Sequence, residues 1–163
     1  MKIAIISDTH INKQIEGFKE MIEFHFLEFD MIIHAGDYHH EGALRLLQAT
    51  GKFIGVWGNA DSEEVKKKLN EKEIIEIADL RIGVFHGHGT KKTTIERAFD
   101  TFQEDTVDII VFGHSHQPLV QTKKGVLMLN PGSFTNKRRE RWFSYIVLEI
   151  KEGEVVVEMK FRH

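Results

Sequence analysis

The sequence predicts an α/β fold, a layered sandwich of mixed β-sheets with helices outside, and three observations carry that expectation. Short β-branched runs alternate with segments of helical period through the first two thirds of the chain, the last third holds strand patterns only, and polar residues gather where the apolar runs end. With 163 residues, 41% of them apolar, the chain is long enough for one well-filled core and short for two, so a single domain over residues 1–163 is expected.

Residues 2–6 form the first apolar, β-branched run and read as a buried strand. Phe18, Met21, Ile22, His25, Phe26 and Phe29 then recur at the three-and-four spacing of one helical face. Residues 31–34 give a second strand, and Ala43, Leu44 and Leu47 mark a second helix that Gly51 can terminate. Residues 53–57 are the third strand. Asp61, with Glu64 three residues later, reads as the cap of a short helix carrying Val65 and Leu69. Residues 74–78 and 80–85 are close enough to pair as a hairpin. Thr93 and Glu96 make a capping box for a helix that buries Ile95, Ala98, Phe99 and Phe102. A strongly apolar strand at 107–112 follows. The remainder reads as a β meander, with strands at 119–122, 126–129, 143–150 and 154–159 and turns at Lys124-Gly125 and Glu152-Gly153.

The net charge of −3 argues against a protein that coats nucleic acid, so extended nucleic-acid binding is not expected. Cysteine is absent, which excludes disulfides, thiolate metal sites and thiol nucleophiles, and leaves the ten histidines and the carboxylates as strong metal ligands. The apolar start of the chain is too short for a signal sequence or a membrane span, so no membrane association and a cytoplasmic location are expected. A homodimer is compatible with the sequence, which carries no specific sign of one.

Five of the predicted strands end in metal-competent residues: Asp8 and His10, Asp37, Asn59 and Asp61, His86 and His88, His114 and His116. In open α/β sheets the carboxyl ends of parallel strands share an edge, so these clusters should converge on one pocket. Singly each has a plain structural explanation, and His34 in a strand and His25 on an apolar helix face read as core histidines. Together, several carboxylates and imidazoles at one mouth are costly to hold without a cation. A mixed oxygen and nitrogen set without sulfur suits Mn²⁺, Fe, Zn²⁺, Co²⁺ or Ni²⁺ better than Ca²⁺ or Mg²⁺. Seven ligand candidates exceed one ion, and two ions roughly 3.5–4 Å apart sharing a carboxylate are the usual arrangement. Phosphoryl transfer is the reaction such a pair serves best.

Ser7-Asp8-Thr9-His10, Gly36-Asp37, Gly58-Asn59-Ala60-Asp61, His86-Gly87 and Gly113-His114-Ser115-His116 occur in an order that resembles the calcineurin-like metallophosphoesterases, most closely their small prokaryotic phosphodiesterase branch. The resemblance implies a four-layer αββα sandwich with two mixed β-sheets flanked by helices. It also implies two divalent metal ions, Mn²⁺ first among the candidates, and a metal-bound hydroxide that attacks a small phosphate-ester substrate. Asp8, His10, Asp37 and His116 would hold one ion and Asp37, Asn59, His86 and His114 the other, with Asp37 as the bridge and Asn59 also touching a phosphate oxygen. Asn130-Pro131-Gly132-Ser133 is similar to the loop that closes the site in this branch.

One position departs from the pattern. Many relatives carry a leaving-group histidine where this chain has Ala60, so activated esters such as aryl phosphodiesters should be preferred, with His88 as substitute acid and His39 as second choice. With no imidazole at 60 to support, Asp61 is expected to act as the helix cap. Tyr38, His39 and His40 are either a substrate wall or an exposed loop, and the basic run 137–141 is a solvated connection or an attractor of substrate anions. The alternatives to a phosphodiesterase are a phosphomonoesterase or nucleotidase, and a non-catalytic protein-binding scaffold of the same fold.

Overall fold

The chain runs β1 (Lys2–Ile6), α1 (Ile15–Phe26), β2 (Met31–His34), α2 (Glu41–Ala49), β3 (Phe53–Gly55), α3 (Glu63–Lys66), β4 (Lys72–Ile77), β5 (Leu80–Phe85), α4 (Thr94–Thr101), β6 (Ile109–Val111), β7 (Pro118–Lys123), β8 (Val126–Pro131), β9 (Phe143–Lys151) and β10 (Glu154–Arg162) in a computed structural model that describes residues 1–12 and 14–163. The strands form two five-stranded sheets, ordered β10-β9-β1-β2-β3 and β4-β5-β6-β8-β7. Each is mixed: β1, β2 and β3 run parallel in the first and β5, β6 and β8 in the second, with antiparallel partners outside them.

Side-chain alternation along the strands builds three apolar layers. Ile3 and Ile5 of β1 meet Ile82 and Val84 of β5 and Ile109 and Val111 of β6 between the sheets. Ala4 and Ile6 face the other way, onto Phe18, Ile22 and Phe26 of α1 and Leu44 and Leu47 of α2. Ile110 of β6 and Met128 of β8 pack under Ala98 and Phe102 at α4. Helix, sheet, sheet and helix are therefore stacked as the four-layer αββα sandwich that the sequence led us to expect. Each fully buried Ile or Leu contributes roughly 1.5–3 kcal/mol to holding it.

The last four strands do not form one meander. β7 and β8 pair as a hairpin in the second sheet, whereas β9 crosses to the first and lies antiparallel to β1, with β10 outside it. The crossing covers the flank of β1 that would otherwise be an open edge. Elsewhere the pattern holds with small shifts. The Thr93–Glu96 capping box forms, and Gly51 follows α2 at φ +71°. Phe29 is buried just past α1, while Met21 and His25 are only half-buried. The third strand stops at Gly55 and the sixth spans only Ile109–Val111, because the chain there is already turning toward the site. Among the described residues no helix is long and apolar enough to cross a membrane.

Candidate metal centre

The carboxyl ends of β1, β2 and β3 and of β5, β6 and β8 lie on facing edges of the two sheets, and backbone hydrogen bonds bind their loops together. Asp8 N–H donates to Gly36 O (3.0 Å), His10 N–H to Asp37 O (3.0 Å), Gly113 N–H to His86 O (3.0 Å), and Phe134 N–H crosses between sheets to Ser7 O (3.2 Å). The local backbone is strained to aim side chains inward: Asp8, His10, Asp37, His114 and His116 all have positive φ, between +46° and +68°. Two glycines allow the close approach. A Cβ on Gly58 would lie 2.2 Å from Asp37 Oδ1, and one on Gly113 would lie 1.9 Å from Ser7 Oγ and 2.6 Å from Asp8 Oδ2.

The result is a nearly water-free cluster in which Asp8, Asp37, His86 and His116 are at most 1% exposed. Asp37 Oδ2 lies 3.2 Å from His86 Nε2 and 3.5 Å from His10 Nε2. Asp8 Oδ1 lies 3.2 Å from His116 Nε2 and 3.9 Å from His10 Nε2, and the His10 and His116 Nε2 atoms are 3.3 Å apart. Asn59 and His114 face each other at the mouth, with His114 Nδ1 2.8 Å from Asn59 Oδ1, while His114 N–H donates to Asp8 Oδ2 (2.9 Å).

Hydrogen bonds at the far ring nitrogens fix the imidazole orientations. His86 Nδ1–H donates to Ala35 O (2.6 Å) and His116 Nδ1–H to Asn136 O, so in the neutral rings the Nε2 lone pairs point at carboxylate oxygens. Burial disfavours a charged His86, yet Asp37 and Asp8 outweigh it and raise its pKa to about 9. Burial likewise opposes ionisation of Asp37 and Asp8, but His86 with the Ala60 N–H holds the former well below the usual carboxylate range, and His116 lowers the latter. Burial depresses His114 to about 4 and also lowers His10.

The donor set fits a cation. Asp8 Oδ1, 3.2 Å from His116 Nε2, and His86 Nε2, 3.2 Å from Asp37 Oδ2, are buried without a hydrogen-bond partner, and lone pairs facing each other across such a gap need either a proton or a metal between them. Two groups of donor atoms lie mutually within 4.8 Å, Asp8 with His10 and His116, and Asp8 with Asp37 and His86. The seven residues that the resemblance implies as ligands come together at this one mouth, and the two donor groups adjoin through the Asp8 carboxylate that they share.

Other residues take roles that the sequence did not disclose. Asp61 does not cap α3, whose N-cap is Ser62 without a side-chain hydrogen bond. Its buried carboxylate instead accepts from the N–H groups of Asp37 (3.0 Å), His39 (2.7 Å) and Gly58 (2.7 Å), clamping the β2 and β3 loops together. Tyr38 is neither wall nor exposed loop: it is fully buried, stacked on His34 at 3.8 Å. His34 is the expected core histidine, accepting from Gly36 N–H at Nδ1 and bonded to Thr9 Oγ1 at Nε2, with burial depressing it to about 3. His40 is exposed and caps α2, whereas His39 is half-buried with its ring 5.9 Å from that of His10. His88 packs against Trp57 and Phe85 and turns Nε2 to Glu71 (3.2 Å).

Asn130 and Ser133 brace the site from behind. Asn130 donates to Gly113 O and Ser115 Oγ, and Ser133 Oγ donates to Asp8 O (2.7 Å). Arg97 latches the loop after β5 through Gly87 O, Lys91 O and Lys92 O, a role that nothing in its helical spacing signals. In the basic run, Lys137 donates to Arg141 O and sits over Phe143, while exposed Arg138 is close enough to His10 to disfavour its protonation.

A two-sheet sandwich whose strand ends converge on aspartates, histidines and an asparagine is the architecture of the metallophosphoesterases. The chain belongs to that class: the sequence profile of the calcineurin-like phosphoesterase superfamily domain matches residues 1–153. Among curated relatives, a probable metallophosphoesterase of Methanocaldococcus jannaschii is 34% identical over 139 residues, covering 85% of this chain and 70% of the relative. A phosphodiesterase of the same organism is 31% identical over 149 residues, covering 81% and 83%. Among solved structures, a Thermotoga maritima protein is 32% identical with a TM-score of 0.76, covering 99% of each chain. Vps29 of Chaetomium thermophilum superposes with a TM-score of 0.77 over 99% of this chain and 96% of its own at 17% identity, a likeness of fold alone.

Proposed function

We propose that the chain is a single-domain phosphodiesterase of small phosphate esters, with Asp8, His10, Asp37 and His116 holding one divalent cation and Asp37, Asn59, His86 and His114 a second. The observation that carries this reading is the position of Asp37 Oδ2 between the lone pairs of His10 Nε2 and His86 Nε2, where one carboxylate oxygen can serve both groups of donors. The relative named a phosphodiesterase supports the diester over the monoester. The chemistry supplied by a cation pair is activation of a water and polarisation of the phosphoryl oxygen; the cysteine-free donor set suits Mn²⁺, which the family resemblance puts first, and also Ni²⁺, Co²⁺, Fe and Zn²⁺.

The residues of the chain would do the rest. Asn59, at the mouth, can donate its amide N–H to a non-bridging phosphate oxygen while its carbonyl oxygen serves as a ligand. Its neighbour Ala60 has no polar side chain to give a proton and offers only its backbone N–H, which donates to Asp37 Oδ1 (2.8 Å). The leaving group therefore needs little protonation or another acid. His39, beside His10, is better placed for that than His88, whose Nε2 is paired with Glu71. Aryl phosphodiesters should accordingly be the best substrates.

The test strips the chain of metal and assays an aryl phosphodiester and the matching monoester with Mn²⁺, Ni²⁺, Co²⁺, Zn²⁺ or Mg²⁺ added singly, using Asp37→Ala as control. Diester turnover restored by metal and abolished in Asp37→Ala is expected. Stoichiometric metal binding without turnover by any metal would overturn the enzyme reading in favour of the scaffold.

A further inference from the structure

A groove of about 810 Å³ opens beside the cluster, with His10 and Thr9 on its wall, and extends along α1 to Phe143, Arg162 and His163. Phosphate fills only a small part of such a space, which is of the size that takes a drug-sized organic molecule. Ile11, Phe18, Met21 and Phe143 give it an apolar lining, and the Asn12 and Asn136 side chains add polar points. At its far end Arg162 is held in place: its guanidinium carbon lies 4.2 Å from the Phe134 ring centroid, Nη2 donates to Phe134 O, and Nη1 donates to His25 Nε2 (3.4 Å).

None of those contacts is with a carboxylate, and among the described residues Arg162 makes no ion pair. Glu16, the acidic side chain in the groove lining, lies 3.6 Å from Lys19. A fixed guanidinium keeps hydrogens on its Nη atoms beyond those used here, and its natural counterpart is a planar or tetrahedral anion. An arginine without an ion pair, in a partly apolar groove that His10 borders, is a recognition element for the part of the substrate that does not react.

We propose that this groove seats the second ester arm of the substrate and that Arg162 binds an anionic group at the end of that arm. The substrate class is then a phosphodiester with an apolar or aromatic arm that ends in a carboxylate or a second phosphate. The inference rests on the phosphodiesterase reading and adds the chemistry of the arm to it. Arg162 acts here as a specificity residue, remote from the reacting phosphorus.

The test uses three diesters with the same p-nitrophenyl leaving group and a second arm of phenylethyl, 4-carboxyphenylethyl or 4-phosphonophenylethyl, assayed with the Mn²⁺-loaded chain. One or both anionic arms should lower KM about tenfold against the neutral arm, and the two anionic arms tell carboxylate from phosphate recognition. Arg162→Gln should remove that advantage while leaving KM for the neutral arm within about twofold. Arg162→Lys should keep part of it, and Phe143→Ala should raise KM for all three. Equal KM for the three arms in the unmodified chain would overturn the proposal, as would an anionic advantage that survives Arg162→Gln. If no diester is turned over, calorimetric titration with the same compounds decides. Arg162-dependent binding would then keep the groove and remove the catalytic reading, and absence of binding would overturn both.

Discussion

Replacing Asp61 separates two accounts of the same residue. A helix cap tolerates Asn as well as Asp and loses only about 1 kcal/mol on replacement by Ala. The observed carboxylate is 5% exposed and accepts three backbone N–H groups from two loops that carry metal-competent residues, Asp37 and Gly58 on one oxygen and His39 on the other. A hydrogen bond to a charged group contributes roughly 1.5–3 kcal/mol, but three bonds to one carboxylate are not additive, and removing the buried charge recovers part of the loss. Asp61→Ala should therefore cost about 3 kcal/mol. Asp61→Asn should cost about 1–2 kcal/mol, because in either orientation its NH₂ group faces a backbone N–H in place of an acceptor. Urea unfolding of the metal-free chain measures both, and calorimetric titration with Mn²⁺ should show at least about tenfold weaker binding as the Asp37 loop loosens. An Asp61→Asn chain as stable as the parent, with unchanged metal affinity, would refute the clamp and restore the cap.

Two further outcomes follow from the same geometry. In the metal-free chain His86 is raised to about 9 from an unfolded value of 6.5, so its contribution is complete below pH 6.5 and is lost as pH climbs through 9. Metal affinity should rise over that window, because the proton must leave Nε2, and calorimetry in buffers of different ionisation enthalpy should detect its release at about pH 7. Gly113→Ala should all but abolish metal binding and destabilise the chain by more than about 2 kcal/mol, because the new Cβ would meet Ser7 Oγ at 1.9 Å and Asp8 Oδ2 at 2.6 Å. Circular dichroism melting with metal titration checks both effects, and a Gly113→Ala chain that binds metal normally would contradict them.

What the sequence disclosed and what it concealed divide along physical lines. Period and capping chemistry are local, so β1, β2, β5 and the Thr93–Glu96 box could be read directly. The gathering of Asp8, Asp37, Asn59, His86, His114 and His116 was also legible, since parallel strands carry their terminal residues to a common edge. Partner choice between distant strands is not local. The apolar pattern of β9 fits a meander as well as it fits β1, and only the open flank of the first sheet decides. Asp61 was misread for a related reason: an acid before a short helix suits a cap, and the competing donors at Asp37 and His39 are 24 and 22 residues away. Tyr38 follows a metal-competent aspartate in sequence yet is buried in the core, because the chain past β2 turns sharply through Gly36 (φ +91°) and Asp37 (φ +63°).

The strain at the site ties metal binding to the stability of the fold. Five of the seven proposed metal ligands hold left-handed backbone conformations, and even at about 1 kcal/mol each, the low end suited to Asp and His, this amounts to roughly 5 kcal/mol. That is comparable to the whole net stability of a small domain, about 5–15 kcal/mol. The Asp61 clamp, the Ser133 bond to Asp8 O and the zipped loop backbones offset it, and a ligand bound only by the folded state adds to them by mass action. At a free Mn²⁺ concentration a thousand times Kd the gain is about 4.1 kcal/mol, which for a chain of 163 residues corresponds to a rise in Tm of roughly 8–16 °C. The rise should grow with the logarithm of metal concentration and vanish in Asp37→Ala. An identical Tm with and without saturating metal in the unmodified chain would show that the strained loops are held by the protein alone, and that cation binding is not coupled to the fold.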